Sequence, residues 1–208
     1  MPKQYEQLFL NFIQQEMQQD LAHDINHVLR VVKTAKALCD REGANLEVVL
    51  PAAYLHDCSS FPKNHPKRSE SSIVAAEKAL SFLANIGYPQ RYFKEIEHAI
   101  ISHSFSANIK PETLEAQIVQ DADRLDALGA IGIARCIQVS SGFGVGLYSS
   151  DDPFCEHREP NDKENTVDHF YTKLFKLEGM MNTESAKREA RIRTDYMKEY
   201  LQQLSKEI

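Results

Sequence analysis

The segment AAYLHDCSS, Ala52 to Ser60, sets an adjacent His56 and Asp57 into a run with the apolar character of a buried helix. A buried imidazole and a buried carboxylate both lose hydration on folding, so each needs partners, and a metal ion is one partner that satisfies both. Other parts of the chain must then supply the remaining ligands.

Apolar residues recur at helical spacing through most of the sequence: Leu8 and Phe12; Val28, Val31, Val32, Ala35 and Leu38; Ile73, Ala76, Leu80 and Leu83; Ile96, Ala99 and Ile100. No segment shows the alternation of a half-buried strand. Breakers stand at Gly43, Phe61-Pro62, Gly87-Tyr88-Pro89 and Lys110-Pro111, and Asn45 and Thr113 are available near the starts of the helices that follow. The pattern predicts an all-α chain with helices near 3–19, 24–41, 46–60, 67–86, 89–103, 111–140, 163–178 and 183–206. With 208 residues, a single domain is the simpler expectation.

The final predicted helix gathers Ala186, Ala190, Met197, Leu201 and Leu204 on one side and offers Glu184–Arg188 and Glu189–Arg193 at i,i+4. Because its acids alternate with its bases, this dense charge reads as a solvated face. The formal net charge of −6 gives no field that would attract duplex nucleic acid. The first twenty residues lack the apolar core of a signal peptide, and no stretch approaches eighteen consecutive apolar residues, so neither secretion nor a membrane span is expected. Cys39, Cys58, Cys136 and Cys155 are scattered without a CxxC pair, which fits reduced thiols and a cytoplasmic protein.

One long segment departs from regular helix, SSGFGVGLYSSDDPFCEHREPN at 140–161. Gly142, Gly144 and Gly146 have GxGxG spacing with no strand before them, which is not a dinucleotide fingerprint. A loop of this length in a compact domain is a lid, a binding loop or a floppy surface insertion, and its conformation is not legible from the sequence.

The candidate partners of His56 and Asp57 lie on other predicted helices: His23, Asp24 and His27; His98 and His103 in EIEHAIISHSF; Asp121, Asp123 and Asp126 in QDADRLDALGA. Three apolar helices each carry His or Asp where a core prefers Leu, and convergence on one site is the economical explanation. A mixed set of imidazoles and carboxylates suits manganese, iron, cobalt, nickel, zinc or magnesium. Asp24 also makes a natural N-cap for the helix that carries His27.

HDINHVLRV, then AAYLHD, then DADRLDALG, in this order and spacing, resemble the HD-domain metal-dependent phosphohydrolases over roughly residues 20 to 130. The Gly-rich loop and HFYTKLFKLEGMMNTESAKREA look similar to a subgroup of small stand-alone bacterial HD hydrolases. The resemblance implies a single-domain all-α HD-type bundle whose divalent ion, manganese by preference, is held by His27, His56, Asp57 and Asp123. The residues alone leave Asp121 and Asp123 as alternatives; the family's pattern, which places the ligand just before the basic residue, selects Asp123.

A divalent ion with open positions acidifies water and neutralises phosphoryl charge, which favours phosphoester or phosphoanhydride hydrolysis. Such a site needs cations for the phosphates and a proton donor for the leaving oxygen. CSSFPKNHPKRSESS supplies Lys63, His65, Lys67 and Arg68, with Arg68 close to a helix start, and the family comparison adds Arg124. His98 and His103 are five residues apart, offset by about 140° on a straight helix, so they do not share a face. His103 is the preferred general acid, His98 a further substrate contact, and Asp57 both ligand and orienting base. The expected substrate is a small phosphorylated metabolite, a nucleotide by preference and a nucleoside triphosphate over a monophosphate. The rival readings are a non-catalytic nucleotide-sensing or interaction domain and a di-iron oxygenase using both His98 and His103.

Overall fold

A computed structural model describes residues 4–17, 24–61, 65–104 and 107–208. Among them are nine α-helices and no strand. The chain divides into two compact units, Met1–Asp123 and Arg124–Ile208.

The first unit is built around α3 (Leu46–Leu55), against which α1 (Glu6–Glu16), α2 (Ile25–Glu42), α4 (Ser71–Asn85) and α5 (Phe93–His103) all pack. Every residue from Val48 to Leu55 is buried, which explains why α3 reads as apolar on all sides. Pro51 inside it has no N–H to offer the carbonyl one turn back. That carbonyl, Glu47 O, accepts the Tyr88 hydroxyl at 2.7 Å instead, so the gap in the helix ladder is closed from outside. The helix starts follow the predicted caps: Asp24 Oδ1 accepts the His27 amide at 2.7 Å and Asn45 Oδ1 the Glu47 amide at 3.0 Å. Thr113 Oγ1 likewise accepts the Ala116 amide at 3.2 Å, where α6 (Leu114–Leu125) begins.

The helix predicted for 111–140 is two helices, α6 and α7 (Gly129–Gly142). Gly129 takes φ +73°, a left-handed value that breaks the run, and a Cβ on Gly132 would lie 2.3 Å from the Ala127 carbonyl oxygen. Periodicity continues across this break because both helices bury an apolar face, so the sequence pattern did not register it. Gly132→Ala is expected to cost about 3 kcal/mol, the upper end of overpacking penalties, because the obstructing atom is backbone. Urea unfolding midpoints with an unchanged slope would show it. A further difference is at α3, which ends at Leu55 rather than near 60, leaving His56 and Asp57 in a turn at its C-terminus. The helix predicted for 163–178 is instead a five-residue α-helix, Asp168–Thr172, followed by a 3₁₀ segment, Leu174–Met180.

In the second unit α7 packs on α9 (Glu184–Leu204), and a 3₁₀ segment, Leu174–Met180, joins α8 (Asp168–Thr172) to α9. Ala186, Ala190, Met197 and Leu201 are buried as their spacing predicts, Thr194 joins them, and Leu204 is half-buried. Glu189 pairs with Arg193 at 2.8 Å, whereas Glu184 pairs with Lys187 and Arg188 donates to Ser185 Oγ.

Residues 140–142 still belong to α7, so the irregular segment predicted for 140–161 begins only at 143; from there it is an anchored loop. Gly146 N donates to Glu164 O at 3.0 Å and Thr166 N returns to Gly146 O at 2.8 Å, closing its base. Inside it, the Asp152 carboxylate accepts the Glu156 and His157 amides. Arg158 reaches the fully buried Asp168 with both Nη1 and Nη2, at 2.5 and 2.7 Å, and the Asn161 amide adds a third bond at 2.6 Å. No helix among the described residues is long and apolar enough to cross a membrane. The four cysteines are free thiols, Cys39, Cys58 and Cys136 being buried.

Candidate metal centre

The first unit brings together side chains from α2, the turn after α3, the end of α5 and the end of α6. His27, one turn into α2, and His56, at the C-terminus of α3, are buried with ring centroids 5.6 Å apart. His27 Nε2 lies 3.6 Å from Asp57 Oδ2 and 3.3 Å from Asp123 Oδ1. His56 Nε2 lies 3.5 Å from Asp57 Oδ2 and 4.0 Å from Asp123 Oδ1. On the other side of Asp57, His103 Nε2 is 3.7 Å from Oδ1, and the His103 ring meets His56 edge-on at 4.8 Å.

The backbone fixes how two of these rings face the centre. His56 Nδ1 is 2.9 Å from Ala53 O and His103 Nδ1 is 2.5 Å from Ile100 O. A carbonyl only accepts, so each Nδ1 carries the proton, and His56 in its neutral form presents a bare Nε2 lone pair to the carboxylates. Burial pushes the His56 pKa down to about 4, against the opposing pull of Asp57, so near neutral pH the ring is uncharged. Burial acts in the same sense on His103, but there the Asp57 and Asp123 carboxylates outweigh it and hold the pKa above the ordinary imidazole value.

His27, His56 and Asp57 offer donor atoms that all lie within 4.8 Å of one another, a possible metal-binding group. The residues fit a cation on one further observation: His56 Nε2 is buried and makes no hydrogen bond, a state that ordinarily costs about 1–3 kcal/mol. A positive ion among two imidazole nitrogens and two carboxylates satisfies that nitrogen and relieves the repulsion between the acids.

The other predicted site residues fall as follows. Lys63 and His23 lie outside the described residues. Lys67 is exposed, with Nζ 3.7 Å from Glu70, and Arg68 Nη1 is bonded to Phe61 O. His98 and His103 do diverge: His98 Nε2 accepts the Glu112 amide at 2.9 Å while His103 faces Asp57. Arg124, in the second unit, donates through Nη1 to Met180 O at 2.5 Å. Asp121 is fully buried, whereas Asp123 is the acid of that pair within 3.3 Å of His27. The sequence reading missed Gln120, whose buried amide donates to Ser102 O at 2.7 Å and so ties the helix of Asp123 to the helix of His103. Its only sequence signal is a polar residue on the same helical face as Asp123, three positions before it.

Comparison with known proteins gives the family. Residues 24–128 match the HD domain family model. Over 190 residues the chain is 33% identical to the Bacillus subtilis protein YpgQ, spanning 89% of this chain and 84% of YpgQ. The crystal structure of YpgQ in complex with ADP superposes with a TM-score of 0.75 at 30% identity, covering 99% of this chain and 95% of that one. An HD-superfamily hydrolase from Bacillus thuringiensis gives a TM-score of 0.78 at 31% identity, covering 100% and 98%. With the family match spanning both histidines, both carboxylates and the helices that carry them, the chain belongs to the HD-domain family.

Proposed function

We propose that the protein is a metal-dependent phosphohydrolase acting on a nucleotide, with cleavage of a nucleoside triphosphate to release pyrophosphate as the favoured reaction. The observation that carries this reading is the meeting of His27, His56, Asp57 and Asp123 around the unbonded His56 Nε2, with His103 beside them. The ADP in the YpgQ crystal supports a nucleotide-type ligand.

A divalent ion held by His27, His56, Asp57 and Asp123, manganese by preference, supplies Lewis-acid stabilisation of phosphoryl charge and a more acidic water. Asp57 orients the attacking water and accepts its proton. His103, with Nδ1 tied to Ile100 O, presents Nε2–H to the leaving oxygen. Lys67 and Arg68, with Lys63 between them and Asp57 in sequence, add positive charge for the phosphates, and Arg124 is proposed as a further phosphate contact. His98 commits Nε2 to the Glu112 amide, so a substrate contact falls to its other ring nitrogen. That same commitment weighs against the di-iron reading, which needs His98 as a ligand.

The test is product analysis. Metal-stripped protein is supplied with manganese and a panel of nucleoside mono-, di- and triphosphates, and phosphate, pyrophosphate and tripolyphosphate are resolved. Release of pyrophosphate from triphosphates is the expected result, and no release across the panel would sink the reading. His103→Gln is expected to lower kcat by about 10²–10⁴-fold, the usual worth of a positioned acid, while manganese affinity stays near that of the wild type.

A further inference from the structure

Asp57 is followed by a short strap, Cys58 to Phe61, that leaves the metal centre along helix α4. Three positions of α4 grip it. Ser71 Oγ accepts the Phe61 amide at 3.0 Å, Ala75 O accepts the Cys58 thiol at 3.3 Å, and Lys78 Nζ donates to Cys58 O at 3.2 Å. Positions 71, 75 and 78 stand at i, i+4 and i+7, so they fall on one stripe of the helix.

Cys58 is held from every polar direction. Its amide donates to Leu55 O at 3.1 Å, its thiol to Ala75 O and its carbonyl accepts from Lys78. The side chain is fully buried, so the strap has no slack at the residue that follows Asp57. Lys78 is itself fixed by Glu16 of α1, Nζ to Oε2 at 2.8 Å. A lysine ammonium has three donors, and here one goes to the acid and one to the backbone carbonyl.

We infer that Lys78 is a positioning residue for the metal centre, holding the peptide after Asp57 so that this carboxylate faces His27, His56 and His103. The inference rests on the metal-site reading given above. Asp57 stands between α3 and the strap, and the α3 side is already fixed by a fully buried helix. The Lys78–Cys58 bond fixes the other side, with the ammonium acting on Asp57 through the backbone and not by direct contact. Partners that orient a ligand in this way are worth about 10–100-fold in metal affinity or activity.

The probe is manganese alone, titrated into metal-stripped full-length protein for the wild type, Lys78→Met, Lys78→Arg and Glu16→Gln. Lys78→Met keeps the aliphatic stem and removes the donors. It is expected to weaken manganese binding by about 10-fold or more, with the melting temperature of the metal-free protein close to wild type, whereas Lys78→Arg restores most of the affinity. Glu16→Gln, which leaves the Lys78–Cys58 bond in place, is expected to bind manganese nearly as the wild type does. Unchanged affinity in Lys78→Met overturns the inference, as does a lower metal-free melting temperature with no loss of affinity, the mark of a merely structural lysine. If Lys78→Met does not fold, Lys78→Gln is read by the same criteria. A wild type that binds no manganese overturns the metal-site reading itself, which separates that failure from one confined to Lys78.

Discussion

Asp57→Ala is expected to abolish both manganese binding and nucleotide hydrolysis, with kcat/KM falling by about 10³-fold or more. Metal-ion catalysis contributes several kcal/mol of transition-state stabilisation, at about 1.4 kcal/mol per tenfold in rate. The expected loss is this large because Asp57 serves three neighbours at once: His27 at 3.6 Å and His56 at 3.5 Å through Oδ2, and His103 at 3.7 Å through Oδ1. Removing it takes away a proposed ligand, the proposed acceptor of the water proton and the carboxylate beside His103. The metal-free variant should keep its helical circular dichroism, since the fold around α3 rests on apolar burial and not on this acid. Isothermal titration with manganese and the pyrophosphate assay check the two halves separately. An Asp57→Ala protein that binds manganese and turns over like the wild type would remove Asp57 from the site.

The second large effect concerns stability. Asp168→Ala is expected to cost about 1–3 kcal/mol, the class of penalties for leaving donors without their acceptor, because the Arg158 guanidinium and the Asn161 amide both lose the carboxylate they share. Burial works to raise the Asp168 pKa, but Arg158 and the Asn161 amide outweigh it and hold the carboxyl below the usual range. A carboxyl whose folded pKa is depressed binds protons more readily in the unfolded chain, so stability rises with pH across that interval. The contribution is complete above the unfolded value of about 3.9 and is lost as pH falls through the lower folded value. Asp168→Asn should therefore show a shallower loss of unfolding free energy below about pH 4 than the wild type, with the two curves parallel near neutrality. Denaturant melts at stepped pH, followed by near-ultraviolet dichroism, give the comparison; identical slopes in acid would show that Asp168 titrates no differently in the two states.

Much of the first unit is legible in the sequence for a definite reason. The periodic apolar positions of α2 and α5 fall on a buried face, and Asp24, Asn45 and Thr113 use short polar side chains at sharp starts, so local chemistry and tertiary packing agree there. In α1 and α4 the stripe is offset, with Leu8 and Ile73 exposed and the buried faces carried by Phe9 and Ile13 and by Ala75, Ala76, Ala79 and Leu83. The site residues are legible because His56 and Asp57 are out of place in an apolar run. Where several histidines or aspartates crowd together, spacing decides some cases and not others. Five-residue spacing separates His98 from His103, as the structure shows, but the proposed choice of Asp123 over Asp121 rests on the family pattern, since both lie on a mostly buried helix. The break between α6 and α7 was hidden because it depends on a left-handed Gly129 and a backbone contact at Gly132, neither of which disturbs hydrophobic periodicity. The hold on the 140–161 loop was hidden for a different reason: Arg158 and Asp168 are ten residues apart across irregular chain, and no local rule pairs them. Lys78 and Gln120 act through backbone carbonyls, which carry no sequence identity at all.

The proposed donors of the metal centre are spread from His27 to Asp123, on segments that only the packed first unit brings within 4 Å. Apart from the adjacent His56 and Asp57, these proposed donors are far apart in the unfolded chain, and closing the long loops between them is entropically costly. A cation held there therefore arrives after the helices have docked and contributes little to the folding barrier. Its influence falls on the reverse step: it slows unfolding and leaves the rate of folding nearly unchanged, so it lengthens the lifetime of the native state without hastening its formation.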